Sequence, residues 1–76
     1  MTERKIKLTS IDEAKLLVNQ AMSCDFDIDL IAGRYVVDAK SIMGIFSVVP
    51  SDSLVLRADC GDDDPFWGKI KSLIVG

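Results

Sequence analysis

Ala39-Lys40-Ser41-Ile42-Met43-Gly44-Ile45-Phe46-Ser47 joins a strand end, a helix cap and an apolar patch in one short run. Ser41 is placed as an N-cap, its side-chain oxygen free to accept from the open backbone N–H groups of the turn that follows. Ile42, Met43 and Phe46 fall at i, i+1 and i+4 and share one side of a short helix, while Ile45, Val48 and Val49 cover another. So short a helix cannot bury all of them. Part of the Ile42, Met43 and Phe46 cluster therefore faces water beside a hydroxyl, which makes the run a candidate docking surface. The helix stops before Pro50, since proline donates no hydrogen bond and disfavours helical geometry in Val49.

Upstream of this run, Tyr35, Val37 and Ala39 point one way and Val36 and Asp38 the other, the period of a strand. Ala32-Gly33 marks a tight hairpin in which glycine supplies a positive φ. Before it, Phe26, Ile28 and Leu30 alternate with Asp25, Asp27 and Asp29, giving a strand with an apolar inner face and an acidic outer one. Ser10-Ile11-Asp12-Glu13 matches a capping box, in which serine and glutamate satisfy free N–H groups reciprocally at a helix start. The helix it opens carries Ile11, Ala14, Leu17, Val18, Ala21 and Met22 as an apolar stripe and runs to about Ser23. At the N-terminus, Arg4 to Thr9 alternates Lys5, Lys7 and Thr9 against Ile6 and Leu8, a first strand with one buried face.

Downstream, Leu54, Leu56, Ala58 and Cys60 alternate with Val55, Arg57 and Asp59 as a fourth strand. In Gly61-Asp62-Asp63-Asp64-Pro65, Asp64 serves as N-cap and Pro65 as the first helical residue, with negative charge at the positive end of the helix dipole. Consecutive carboxylates without spaced oxygen ligands do not make a calcium loop, so no metal is expected here. Phe66, Ile70, Leu73 and Ile74 line one side of a last helix, with Trp67 near its start, as core rather than as a ligand box. The element order is β-α-β-β-α-β-α.

The 76 residues, 49% hydrophobic and 28% charged, suit one globular domain spanning 1–76. No apolar run reaches the roughly 18 residues that cross a bilayer, and Met1-Thr2-Glu3-Arg4-Lys5 lacks an apolar signal core, so no membrane association and a cytoplasmic location are expected. Cys24 and Cys60 lie far apart without CxxC spacing and read as two buried thiols. A net charge of −3 with scattered basic residues lacks the footprint of direct nucleic-acid binding. No cofactor is signalled.

Lys40-Ser41-Ile42-Met43-Gly44 resembles the segment around the regulatory serine of the histidine-containing phosphocarrier protein (HPr) of sugar phosphotransferase systems. The element order fits that family along nearly the whole chain. The resemblance implies an α+β, HPr-like open-faced sandwich, a four-stranded antiparallel sheet with three helices on one face. It also implies a serine at the position of Ser41 that a dedicated HPr-type kinase phosphorylates in many Gram-positive members. The active-site loop departs from the family. Aligning Ala14-Lys15-Leu16-Leu17-Val18 with the family's first helix places Ser10 where the phosphoacceptor histidine stands and Asp12 where an arginine stands, after a shortened loop.

The chain contains no histidine. Imidazole forms a phosphoramidate of high transfer potential, steadied by a cation and by helix N–H groups, whereas Ser10 would form a stable ester and Asp12 would repel the dianion. No catalytic residue is therefore assigned and the chain does not read as an enzyme; Ser10 reads as a cap. The leading expectation is a degenerate HPr-like regulatory or binding module. Ser41 is its regulatory phosphorylation candidate, and Lys40, Ile42, Met43 and Phe46 are its partner-binding residues. The expected partner is a protein, either an HPr-type serine kinase or a transcriptional regulator. The alternative is a constitutive interaction or self-associating domain, a homo-oligomer through the same patch, in which Ser41 only caps its helix.

Overall fold

Alternation and capping place the elements in the order read from the sequence. A computed structural model describes residues 1–75. It contains β1 (Thr2–Leu8), α1 (Ile11–Met22), β2 (Ile28–Ala32), β3 (Tyr35–Asp38), α2 (Ile42–Phe46), β4 (Ser51–Ala58) and α3 (Pro65–Lys69), followed by a 3₁₀ turn at Lys71–Leu73. The strands form one sheet in the order β1-β4-β2-β3, and every neighbouring pair is antiparallel. This is the open-faced α+β sandwich expected.

One face of the sheet carries the core. Ile6 and Leu8 of β1, Ile28 and Leu30 of β2, and Leu54, Leu56 and Ala58 of β4 are buried against Ala14, Leu17, Val18 and Ala21 of α1, Ile45 of α2, and Phe66 and Trp67 of α3. Residues of opposite parity, among them Glu3, Lys5, Asp29, Val55 and Arg57, lie on the other face, where Arg57 reaches Asp29 at 3.5 Å. The outer edge of β1 is covered at Lys5 and Ile6 by the C-terminal segment. Ile74 bridges Ile6, and Val75 N donates to Lys5 O at 2.9 Å.

Several boundaries differ from the sequence reading. β1 begins at Thr2 rather than Arg4 and ends before Thr9, because Glu3, Arg4 and Lys5 find partners in Arg57, Leu56 and Val55 of β4. β2 begins only at Ile28. Phe26 lies in the preceding loop, half-buried, with its ring edge-on to Phe66 at 6.2 Å between centroids. β4 ends at Ala58, so Cys60 is outside the ladder. The last helix breaks after Lys69, and Leu73 reaches the core from the 3₁₀ turn instead.

The predicted apolar stripes also overreach at their ends. Ile11 and Met22, on the terminal turns of α1, are exposed, and so is Tyr35 of β3, because the core narrows before it reaches them. Cys24 and Cys60 are half-buried rather than enclosed. Cys24 Sγ donates to Gln20 O at 3.4 Å, and Cys60 O accepts from Thr2 Oγ1 at 2.7 Å. Partial burial pushes the Cys60 thiol up from its usual pKa, with the Asp64 carboxylate adding to the effect.

Candidate functional site

Ser41 sits where β3 turns into α2. Its backbone is extended, and its Oγ accepts from Gly44 N at 3.2 Å, the N-cap geometry anticipated from its place in the chain. The turn is fixed from the other side by Asp38. Its carbonyl accepts from Ser41 N at 3.0 Å and its Oδ1 accepts from Lys40 N at 2.9 Å, an Asx-type turn that orients the residue before the cap. Gly44 faces β3 closely: a Cβ there would make ordinary contact, 3.4 Å from both Ser41 Oγ and Val37 Cβ.

With the cap fixed, the side chains of α2 divide as their spacing dictates. Ile45 is fully buried, while Met43 is 76% exposed and Phe46 38% exposed. Ile42 is half-buried and packs on the edge of the core. Ser41 is exposed beside this patch, and Lys40 is half-buried. Val48 and Val49, at the other end, are also half-buried against the core. One short helix and its cap thus expose a hydroxyl, a thioether and an aromatic ring.

Ser10 and Asp12 occupy a different position. Ser10 Oγ accepts from Glu13 N at 3.2 Å, so the serine caps α1. The reciprocal half of the capping box is displaced by one residue: Glu13 Oε1 accepts from Thr9 N at 2.7 Å and from Thr9 Oγ1 at 2.8 Å rather than from Ser10 N. Glu13 Oε2 meets Lys7 Nζ at 2.6 Å. The sequence pattern did not expose the Lys7 contact, because it joins a strand to a helix across a loop. Asp12 is exposed and takes no part in this network.

Opposite chemistry gathers at the start of α3. Asp64 Oδ1 accepts from Phe66 N at 2.9 Å, confirming its role as N-cap, and Asp62 Oδ1 pairs with Arg4 at 2.9 Å. The Arg4 guanidinium lies 5.3 Å from the centroid of the Trp67 ring, whose Nε1 donates to Gly61 O at 3.1 Å. Among the described residues no group of three or more metal-ligating side chains converges. No helix among them is long and apolar enough to cross a membrane.

Neither family models nor curated proteins match the sequence. Solved structures do. HPr-C-His from Thermoanaerobacter tengcongensis superposes with a TM-score of 0.76 at 28% identity, over 97% of this chain and 91% of that one. The chain has the HPr fold. The phosphocarrier protein HPr from Bacillus anthracis str. Ames gives 0.71 at 21% identity, over 97% and 96% of the two chains. The histidine-containing phosphocarrier protein of Mycoplasma gives 0.73 at 23% identity, over 99% and 100%. On the HPr fold, Ser41 capping α2 and Ser10 capping α1 are the two serine-led helix starts; Ser10 is followed by the single exposed Ile11, whereas Ser41 leads a helix that exposes both Met43 and Phe46.

Proposed function

We propose that this chain is an HPr-like regulatory module of phosphotransferase-related carbohydrate control, without phosphohistidine transfer, that binds a protein partner through α2. Ser41 is the phosphoacceptor of an HPr-type serine kinase, and Lys40, Ile42, Met43 and Phe46 make the contact. The observation that carries this reading is the exposure of Met43 and Phe46 on the short helix that the exposed Ser41 caps. A phosphate on Ser41 would add about −1.5 to −2 charge beside the free amides at the start of α2, an environment that favours anions.

The absence of histidine supports the loss of carrier function, since the chain holds no imidazole on which a phosphohistidine could form. The structural neighbours bear the name phosphocarrier, which supports a link to the same system rather than the same chemistry.

A second reading is favoured by the Ser41 Oγ contact to Gly44 N: the serine only caps the helix, and the patch is a constitutive interaction surface. Incubation with an HPr-type serine kinase and ATP, followed by intact-mass and fragment spectrometry, separates the two. One phosphate confined to Ser41 and absent from Ser41→Ala supports the regulatory reading. No modification, under conditions that label a carrier of the HPr type, moves the assignment to the constitutive one.

A further inference from the structure

The two edges of the sheet are treated differently. β1 is covered by Ile74 and Val75 at Lys5 and Ile6, whereas β3 has no strand on its outer side among the described residues. Open edges are ordinarily blunted by short length, charged side chains, proline, bulges or a covering segment, and of these β3 has its length of 4 residues and the charge of Asp38. β3, Tyr35-Val36-Val37-Asp38, has no proline and pairs with β2 in unbroken register, with Tyr35 71% and Val36 56% exposed.

The direction of its free groups follows from the β2–β3 ladder. Ala32 and Tyr35 close the hairpin, and Ala39 N donates to Ile28 O at 2.9 Å in step with them. Hydrogen-bonded pairs alternate along an antiparallel ladder, so Tyr35, Val37 and Ala39 face β2 while Val36 and Asp38 turn their N–H groups outward.

The strand is also self-complementary in charge. Arg34 precedes it and Asp38 ends it, and neither forms an ion pair among the described residues. Asp38 stands opposite Asp29, a like-charge pairing that Arg57 offsets only from the Asp29 side.

We infer that β3 pairs with β3 of a second copy about a two-fold axis through Val36, joining the two sheets into one. With Val36 opposite Val36, the outward groups meet: each Val36 N–H donates to the other Val36 carbonyl, and each Asp38 N–H to the other copy's Arg34 carbonyl. The same register sets Arg34 against Asp38 twice. A parallel or shifted arrangement loses either the hydrogen bonds or both charge pairs. A second copy is the favoured occupant because the charge pattern complements itself under this symmetry. The contact is short, and interfaces below roughly 1,200 Å² are weak, so dimerisation is reversible and concentration-dependent.

Sedimentation equilibrium on the full chain from about 10 μM to about 1 mM tests it. The average mass should rise from monomer towards dimer, and amide exchange at Val36 and Asp38 should slow with concentration. Arg34→Asp and Asp38→Arg should each remain monomeric, because each opposes like charges twice. Their equimolar mixture should dimerise, because both pairs then become complementary. Val36→Pro removes one outward donor without touching the β2 ladder and should also stay monomeric, with circular dichroism confirming its fold. A wild-type protein that is monomeric at about 1 mM, a dimer that survives Arg34→Asp, or a mixture that fails to associate overturns the inference.

Discussion

Glu13 Oε2 lies 2.6 Å from Lys7 Nζ, while Glu13 Oε1 accepts from both the amide and the hydroxyl of Thr9. One carboxylate thereby binds the end of β1 to the first turn of α1, across the loop that separates them. The Lys7 hydrogen bond, followed by those from Thr9, holds the Glu13 carboxyl at about 2 against an ordinary value of 4.5.

A depressed carboxylate stabilises the fold only while it is ionised. The Glu13 contribution is fully present above pH 4.5 and is lost as pH falls through about 2. Urea unfolding followed across that window should show the wild-type midpoint falling towards that of Glu13→Gln, with the gap closing below the lower value. A gap that stays constant through the window would show that Glu13 titrates alike in the folded and unfolded chains.

Core and patch should separate cleanly by substitution. Leu56 is fully buried in β4 and pairs with Arg4 on one side and Leu30 on the other. Leu56→Ala should cost about 2–5 kcal/mol, a large share of the stability of a domain this small. Met43→Ala, on the exposed face of α2, should change stability by less than about 0.5 kcal/mol while weakening partner binding. Thermal melts of both variants, with binding measured on the second, distinguish a structural methionine from a contact one.

How much of this was legible in the sequence can be traced element by element. Period-2 alternation and the serine and aspartate caps gave the element order, because each depends on residues close in the chain. Tyr35, Ile11 and Met22 carried the right period yet are exposed, since periodicity identifies a face without showing how far the core extends beneath it. The Arg4 pairing with Asp62 and the displaced reach of Glu13 to Thr9 and Lys7 were not legible. Both depend on the spacing between elements, which only the folded backbone fixes. Ser41 and its neighbours were legible as a cap and a patch. Their geometry on α2 follows from local sequence alone, whereas the edge of β3 emerges only from the strand order.

The hairpin between β2 and β3 rests on one residue. Gly33 has φ 61°, and nothing lies within 4 Å of where a Cβ would stand, so a substitution there is opposed by backbone conformation rather than by crowding. Gly33→Ala should destabilise by about 1–2 kcal/mol. In calorimetry each kcal/mol corresponds to roughly 4–8 °C of melting temperature in a domain of this size. Gly33→Asn should lose less, because its side chain tolerates the left-handed region. Equal losses would show that tolerance of the left-handed region does not set the cost at this position.

Capping and signalling at Ser41 can be told apart because aspartate caps helices about as well as serine does. Ser41→Ala removes the acceptor for Gly44 N and should cost about 1 kcal/mol in urea unfolding, whereas Ser41→Asp should stay within about 0.5 kcal/mol of wild type. The two variants therefore dissociate stability from charge. A partner that reads phosphoserine should bind Ser41→Asp differently from both wild type and Ser41→Ala, with the apolar contact of Met43 and Phe46 unchanged. A partner that recognises only the patch should bind all three alike once the loss of stability in Ser41→Ala is allowed for, and the hydroxyl would then belong to the helix alone.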